Sequence, residues 1–174
     1  MSAPDRRQRR YWQQVVRDLE LPAPFDLGLF CTQIGRQSGR TLVLVPRDSR
    51  QHGPAPCGLL VRTKTVDHLF YETATSELHR RQNVFHEIGH LLADHAPVHQ
   101  RPGTAAGVQH LLPDLDPAMI QAVLARGGYQ HAMEREAETI ATLLGLRVDA
   151  VAHRRHDADP SLRRMAVMFG HDVD

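Results

Sequence analysis

Apolar and polar positions recur with two different periods along this chain, and the switches between them outline its elements. From Arg6 to Leu19, the residues Tyr11, Trp12, Val15, Val16 and Leu19 return every three to four positions, which predicts an amphipathic helix. Arg6, Arg7, Arg9, Arg10 and Arg17 fall on its polar side. "LPAPF" ends it, because proline has no amide hydrogen and disfavours helix in the residue before it. A second, short helix is expected from about Phe25 to Gly35. Three β-rich runs follow: "TLVLVP" from Thr41, "CGLLVRT" from Cys57 and "DHLFYE" from Asp67. Their short links predict a small three-stranded antiparallel sheet, with "DHLFYE" as an edge to which an extended peptide can add.

After Thr73 the longer period returns. Ser76 is placed to cap a helix that runs through to Pro97. Asp116 and Pro117 suit the cap and first position of another helix over "DPAMIQAVLARGG". A last helix is expected from about His131 to Leu146, followed by a loosely ordered tail over 147–174. Helix, then sheet, then helices predicts an α+β fold with the helices packed against one side of the sheet. The 174 residues suit one domain, with an N-terminal helix at about 6–19 and a catalytic core at about 40–146.

Composition adds little constraint. Apolar residues make up 41% of the chain, and the formal charge is +1 with acidic and basic residues intermixed. That balance gives no reason to expect direct nucleic-acid contact, the arginines of the first helix reading as a solvated face. No stretch is long and apolar enough to span a bilayer, and no secretory leader is visible. With two cysteines, Cys31 and Cys57, and no C-x-x-C spacing, the expectation is a reduced, cytoplasmic protein. Cys57 is in principle a thiolate ligand, but reads better as a small buried residue at a strand start.

The chemistry concentrates in "QNVFHEIGHLLADHA", residues 82–96. On a helix, His86 and His90 share a face one turn apart and can present two imidazoles to one point. This is the H-E-x-x-H pattern, in which the histidines hold zinc and the glutamate, here Glu87, works as general base. Zinc brings the pKa of its water to about 7, within reach of a nearby carboxylate. Val84, Phe85, Ile88, Leu91 and Leu92 supply an apolar band to seat the helix. The pattern extended by G-x-x-H is not met, because Ala93 and Ala96 stand at its glycine and third histidine. His95 is then a helix-end residue or one that supports a ligand, and Asp94 either touches that side of the site or stays solvated. The third ligand is sought in "YQHAMEREAETIATLLGL", where Glu134 and Glu138 lie one turn apart beside an apolar stripe. Glu134 would complete a His–His–Glu site, with Glu136 its rival, and Glu138 would orient one of the histidines. Tyr129 and His131, just before this helix, are candidates to donate a hydrogen bond to the oxyanion of peptide hydrolysis, or are structural.

"HEIGHLL" together with "EREAETIATLL" resembles the ImmA/IrrE-type zinc metallopeptidases of bacteria and their mobile elements, and "FYETATSELHRRQNVFHEIGH" looks like an actinobacterial branch of that family. The likeness runs from about Leu59 to Leu146. It implies a gluzincin-like fold, His86, His90 and Glu134 as zinc ligands and Glu87 as catalytic residue. It also implies proteolysis of a specific protein partner, such as a helix-turn-helix transcriptional repressor. The sequence departs from the family at Glu138, where Asn or Asp is usual, at Ile140, where Phe is usual, and at "GLRV", where Met-Pro is usual. An alternative from a different class is a non-proteolytic, zinc-stabilised interaction module or toxin–antitoxin component that sequesters a partner.

Overall fold

The computed structural model describes residues 6–48, 50, 58–95, 120–125 and 131–158. Among these are four helices and four strands: α1 (Arg6–Asp18), α2 (Leu27–Gln37), β1 (Thr41–Arg47), β2 (Gly58–Thr63), β3 (Val66–Glu72), α3 (Glu77–Leu92), β4 (Ile120–Ala125) and α4 (His131–Ala158). The fold is α+β.

The sheet differs from the expected three-stranded antiparallel one. Its order is β1-β3-β2-β4, with β1 parallel to β3 and the other neighbours antiparallel. The physical cause lies in the connections. Residues 64 and 65 turn β2 tightly into β3, so that pair is a hairpin. The stretch from Asp48 to Cys57 is long enough to carry the chain past the place of β3, which leaves β1 and β3 side by side and pointing the same way. "DHLFYE" is therefore an interior strand rather than an edge, and the described edges are β1 and β4. The helix expected over "DPAMIQAVLARGG" is also corrected: Ile120–Ala125 pairs with Leu59–Thr63, with an irregularity at Arg62 and Thr63. The hydrogen-bonding side of β2 away from β3 takes a partner strand, and that tertiary demand overrides a weak local preference.

Leu44, Leu69 and Leu60 lie in register across the sheet on the face that meets the helices. Leu60 and Leu69 join Val84, Phe85 and Ile88 of α3 and Ile140, Ala141 and Leu144 of α4 in one buried cluster. Each of the larger side chains among them contributes about 1.5–3 kcal/mol by leaving water. Phe30 of α2 and Phe85 meet edge to face at 5.9 Å, with Phe25 against both. Leu59, Val61 and Phe70, on the opposite face, are buried too.

Helix ends show where local chemistry decides. Asp26 caps α2 by accepting from the Leu29 amide, and Ser76 caps α3 from the His79 amide as the sequence implied. α3 ends at Leu92, short of Pro97, because Asp94 takes a left-handed backbone (φ 47°). The Asp94 amide donates to the Leu91 carbonyl and the His95 amide to the His90 carbonyl, a Schellman turn. α4 runs beyond Leu146 to Ala158, so the first part of the supposed loose tail is helix. Val148 is buried, the Arg147 guanidinium bonds the Val16 carbonyl of α1, and Asp149 pairs with Arg81 of α3. Those contacts hold the helix past Gly145. Residues 159–174 lie outside the described residues, as do Tyr129 and Cys57. Among the described residues no helix is long and apolar enough to cross a membrane.

Candidate metal centre

The stretch of α3 from Asn83 to His90 is buried throughout, which places two imidazoles and a carboxyl group inside the protein. His86 and His90 sit one turn apart with ring centroids 4.9 Å apart, and their Nε2 atoms approach to 3.2 Å. Glu134, in the first turn of α4, brings Oε2 to 3.3 Å from His86 Nε2 and 3.9 Å from His90 Nε2. Three potential ligand atoms, one from each residue, thus lie within 4.8 Å of one another.

Glycine 89 makes this meeting possible. A Cβ there would stand 2.7 Å from the Ala137 carbonyl oxygen and 2.9 Å from its Cα, so α3 and α4 touch backbone to backbone. In the sequence Gly89 shows only as a glycine in mid-helix, which costs about 1 kcal/mol against alanine and is kept where two backbones must approach.

The donors fit a cation. A tetrahedral ion with bonds of about 2.0–2.2 Å sets its ligand atoms about 3.3–3.6 Å apart. Two of the three separations are close to that, and the third is a few tenths longer. Glu134 Oε1 is buried and has no hydrogen-bond partner among the described residues, a costly state that a cation beside the carboxylate would relieve. The outward-facing ring nitrogens are held as well: His86 Nδ1 lies 3.1 Å from Glu138 Oε2 and His90 Nδ1 lies 2.9 Å from His95 Nδ1. Nitrogen and carboxylate oxygen suit zinc, and other first-row divalent ions also accept them.

Glu87, beside His86 on the same helix, packs against the start of β2. It is 2% exposed, and its Oε1 stands 2.6 Å from where a Cβ on Gly58 would be, with Cγ at 2.9 Å. The bare backbone at the start of β2 thus makes room for this side chain. Gly58 was not singled out from the sequence, because only the fold brings it to α3.

The two rival glutamates part company. Glu134 meets the histidines, whereas Glu136 turns to the other side, where Oε2 lies 3.1 Å from His95 Nε2. Its Oε1 accepts from Trp12 Nε1 at 2.6 Å and from Gln8 Nε2 at 2.8 Å. Burial pushes the Glu136 carboxyl up, but the hydrogen bonds from His95, Trp12 and Gln8 together outweigh it and hold the group below the usual range. Asp94 is exposed at the turn, while His95 is buried against His90. His131 is exposed at the first position of α4, and no hydrogen bond among the described residues ties it to the cluster. Compared with family models, curated proteins and solved structures, the chain matches none.

Proposed function

We propose that the protein is a zinc-dependent endopeptidase acting on a specific protein. The observation that carries this reading is the convergence of the buried His86 Nε2 and His90 Nε2 with the half-buried Glu134, one of whose carboxylate oxygens has no hydrogen-bond partner among the described residues. When bound there, zinc supplies a Lewis acid and lowers the pKa of water towards neutrality. His86, His90 and Glu134 hold it. The Glu87 carboxylate takes the proton of the attacking water and returns it to the leaving nitrogen, while Glu138 fixes the ring of His86. An H-E-x-x-H helix, a glutamate from a later helix packed against it and a mixed sheet on the first of the two are the ingredients of a gluzincin-like arrangement. The resemblance to the ImmA/IrrE-type peptidases supports a protein substrate, with a helix-turn-helix repressor as its concrete form.

The reading is tested by metal content and cleavage together. Purified protein is expected to hold about one zinc per chain, lost on His86→Ala, His90→Ala or Glu134→Gln. Glu87→Gln is expected to keep zinc and lose at least about a hundredfold in cleavage of a helix-turn-helix protein encoded beside it, assayed on co-expression. A Glu87→Gln variant as active as the natural chain would instead point to the sequestering module.

A further inference from the structure

The chain of contacts that leaves His90 on its far side does not stop at His95. It passes from His90 Nδ1 to His95 Nδ1 (2.9 Å), from His95 Nε2 to Glu136 Oε2 (3.1 Å), and from Glu136 Oε1 to Trp12 Nε1 and Gln8 Nε2 on α1. Four segments of the chain are thereby tied in one line: α1, the first turns of α4, the Schellman turn and the histidine helix.

Each link needs one proton and one lone pair, and that fixes where the protons sit. Trp12 has only a proton to give, so Glu136 receives it as a carboxylate. Glu136 then accepts from His95, which puts the proton of neutral His95 on Nε2 and leaves Nδ1 as acceptor. His95 Nδ1 must take its proton from His90 Nδ1, so neutral His90 presents an unprotonated Nε2 to the cluster. Glu138 imposes the same tautomer on His86 directly. Two imidazole lone pairs 3.2 Å apart then face each other beside the Glu134 carboxylate, an arrangement that repels itself until a cation enters.

We infer that His95, Glu136 and Trp12 are positioning residues that lock His90 in its metal-ligating tautomer, and so make the N-terminal helix α1 part of the metal centre. This rests on the metal-site reading above. The Schellman turn explains how His95 comes to serve: the left-handed Asp94 folds the chain back and sets its ring against that of His90. A carboxylate is required at 136, because it must offer two acceptor oxygens at once. Glutamine has one, and cannot serve both α1 and His95.

The test uses the full chain with nitrogen-15-labelled histidines, first without metal. Ring nitrogen shifts are expected to show His86 and His90 protonated at Nδ1 and His95 at Nε2, each as a single tautomer. His90 protonated at Nε2, or His95 protonated at both nitrogens and donating to His90, would overturn the proposal. No variant is needed for that result, so it stands even if a substitution fails to fold. In Glu136→Gln the His90 signal is expected to become a tautomer mixture, and zinc affinity to fall by about ten- to a hundredfold. Trp12→Phe, which keeps the ring but not the donor, should weaken zinc several-fold less. Asp149→Ala, which removes a salt bridge elsewhere on α4, should leave the tautomers as they are. A His90 signal unchanged in Glu136→Gln would also overturn the relay. Failure of the natural chain to bind zinc, with the tautomers as assigned, would sink the metal reading and leave the proton assignment intact.

Discussion

Two ionic clusters among the described residues, each with a buried core, are built on opposite plans. At one end of the sheet, Asp67 is gripped by Arg40 at 3.0 and 2.7 Å and by Arg62 at 3.3 and 3.4 Å, while Arg40 also donates to the Thr63 carbonyl at 2.6 Å. Every contact there joins a donor to an acceptor, and the cluster fastens the start of β1 to the β2–β3 hairpin. Between α3 and α4, by contrast, two imidazole nitrogens and a carboxylate converge, three acceptors in the tautomers inferred above, with one carboxylate oxygen lacking a hydrogen-bond partner among the described residues. Burial is similar in the two places. The difference is that the first cluster is complete as it stands, whereas on the proposed reading a cation completes the second. Burial alone does not separate a structural ion pair from a ligand site; the match of donors to acceptors does.

That contrast predicts opposite responses to metal. Zinc at about a thousand times its dissociation constant should stabilise the natural chain by about 4 kcal/mol over chelated protein. His90→Ala should abolish that increment. Asp67→Ala should lower stability by about 3–5 kcal/mol, because it strands two guanidinium groups, and should do so equally with and without metal. Urea unfolding of the three chains in zinc and in chelator measures all of this. Loss of the zinc increment in Asp67→Ala, or its survival in His90→Ala, would show that the clusters are not independent.

A smaller effect is expected where the ligand site depends on helix spacing. Gly89→Ala places a methyl group against the Ala137 backbone and should cost about 1–3 kcal/mol by overpacking. Since Glu134 lies one turn before Ala137, pushing α4 outward should also weaken zinc binding. The same substitution's stability cost should persist in chelator. Zinc affinity equal to that of the natural chain would mean that the carboxylate reaches the histidines without the close backbone approach.

What the sequence disclosed about the site was local. His86 and His90 face one way because four residues make about one turn, and Ser76 caps because its hydroxyl needs only its own neighbours. Glu134 could be proposed from a stripe of apolar residues beside it, but its choice over Glu136 needed the second helix in place. Other features were set by distant partners. Ile120–Ala125 mixes helix-forming alanine and leucine with β-branched residues, and only the waiting side of β2 makes it a strand. The parallel pairing of β1 with β3 follows from where a ten-residue connection lands. A left-handed aspartate is uncommon, so nothing in "LLADHA" announced that His95 would fold back onto His90. The helical start of the tail was hidden by Gly145, whose usual meaning as a stop is overridden by Val148, Arg147 and Asp149.

The smallest effect belongs to a contact that links the same two helices as the metal centre. Arg81 Nη2 and Asp149 Oδ1 join α3 to α4 at 2.7 Å, with the aspartate side chain 51% exposed. In that setting water already solvates both charges, so Asp149→Ala should cost only about 0.2–1 kcal/mol, and less at high salt. Zinc affinity should not change, because the spacing of α3 and α4 near His86 and His90 is set by the backbone contact at Gly89 and by the buried residues around Ile140. The pair of measurements therefore asks what holds the two halves of the ligand set together. If Asp149→Ala weakened zinc as much as Gly89→Ala does, the surface charge pair would be the strut, and the close packing beneath it only a consequence.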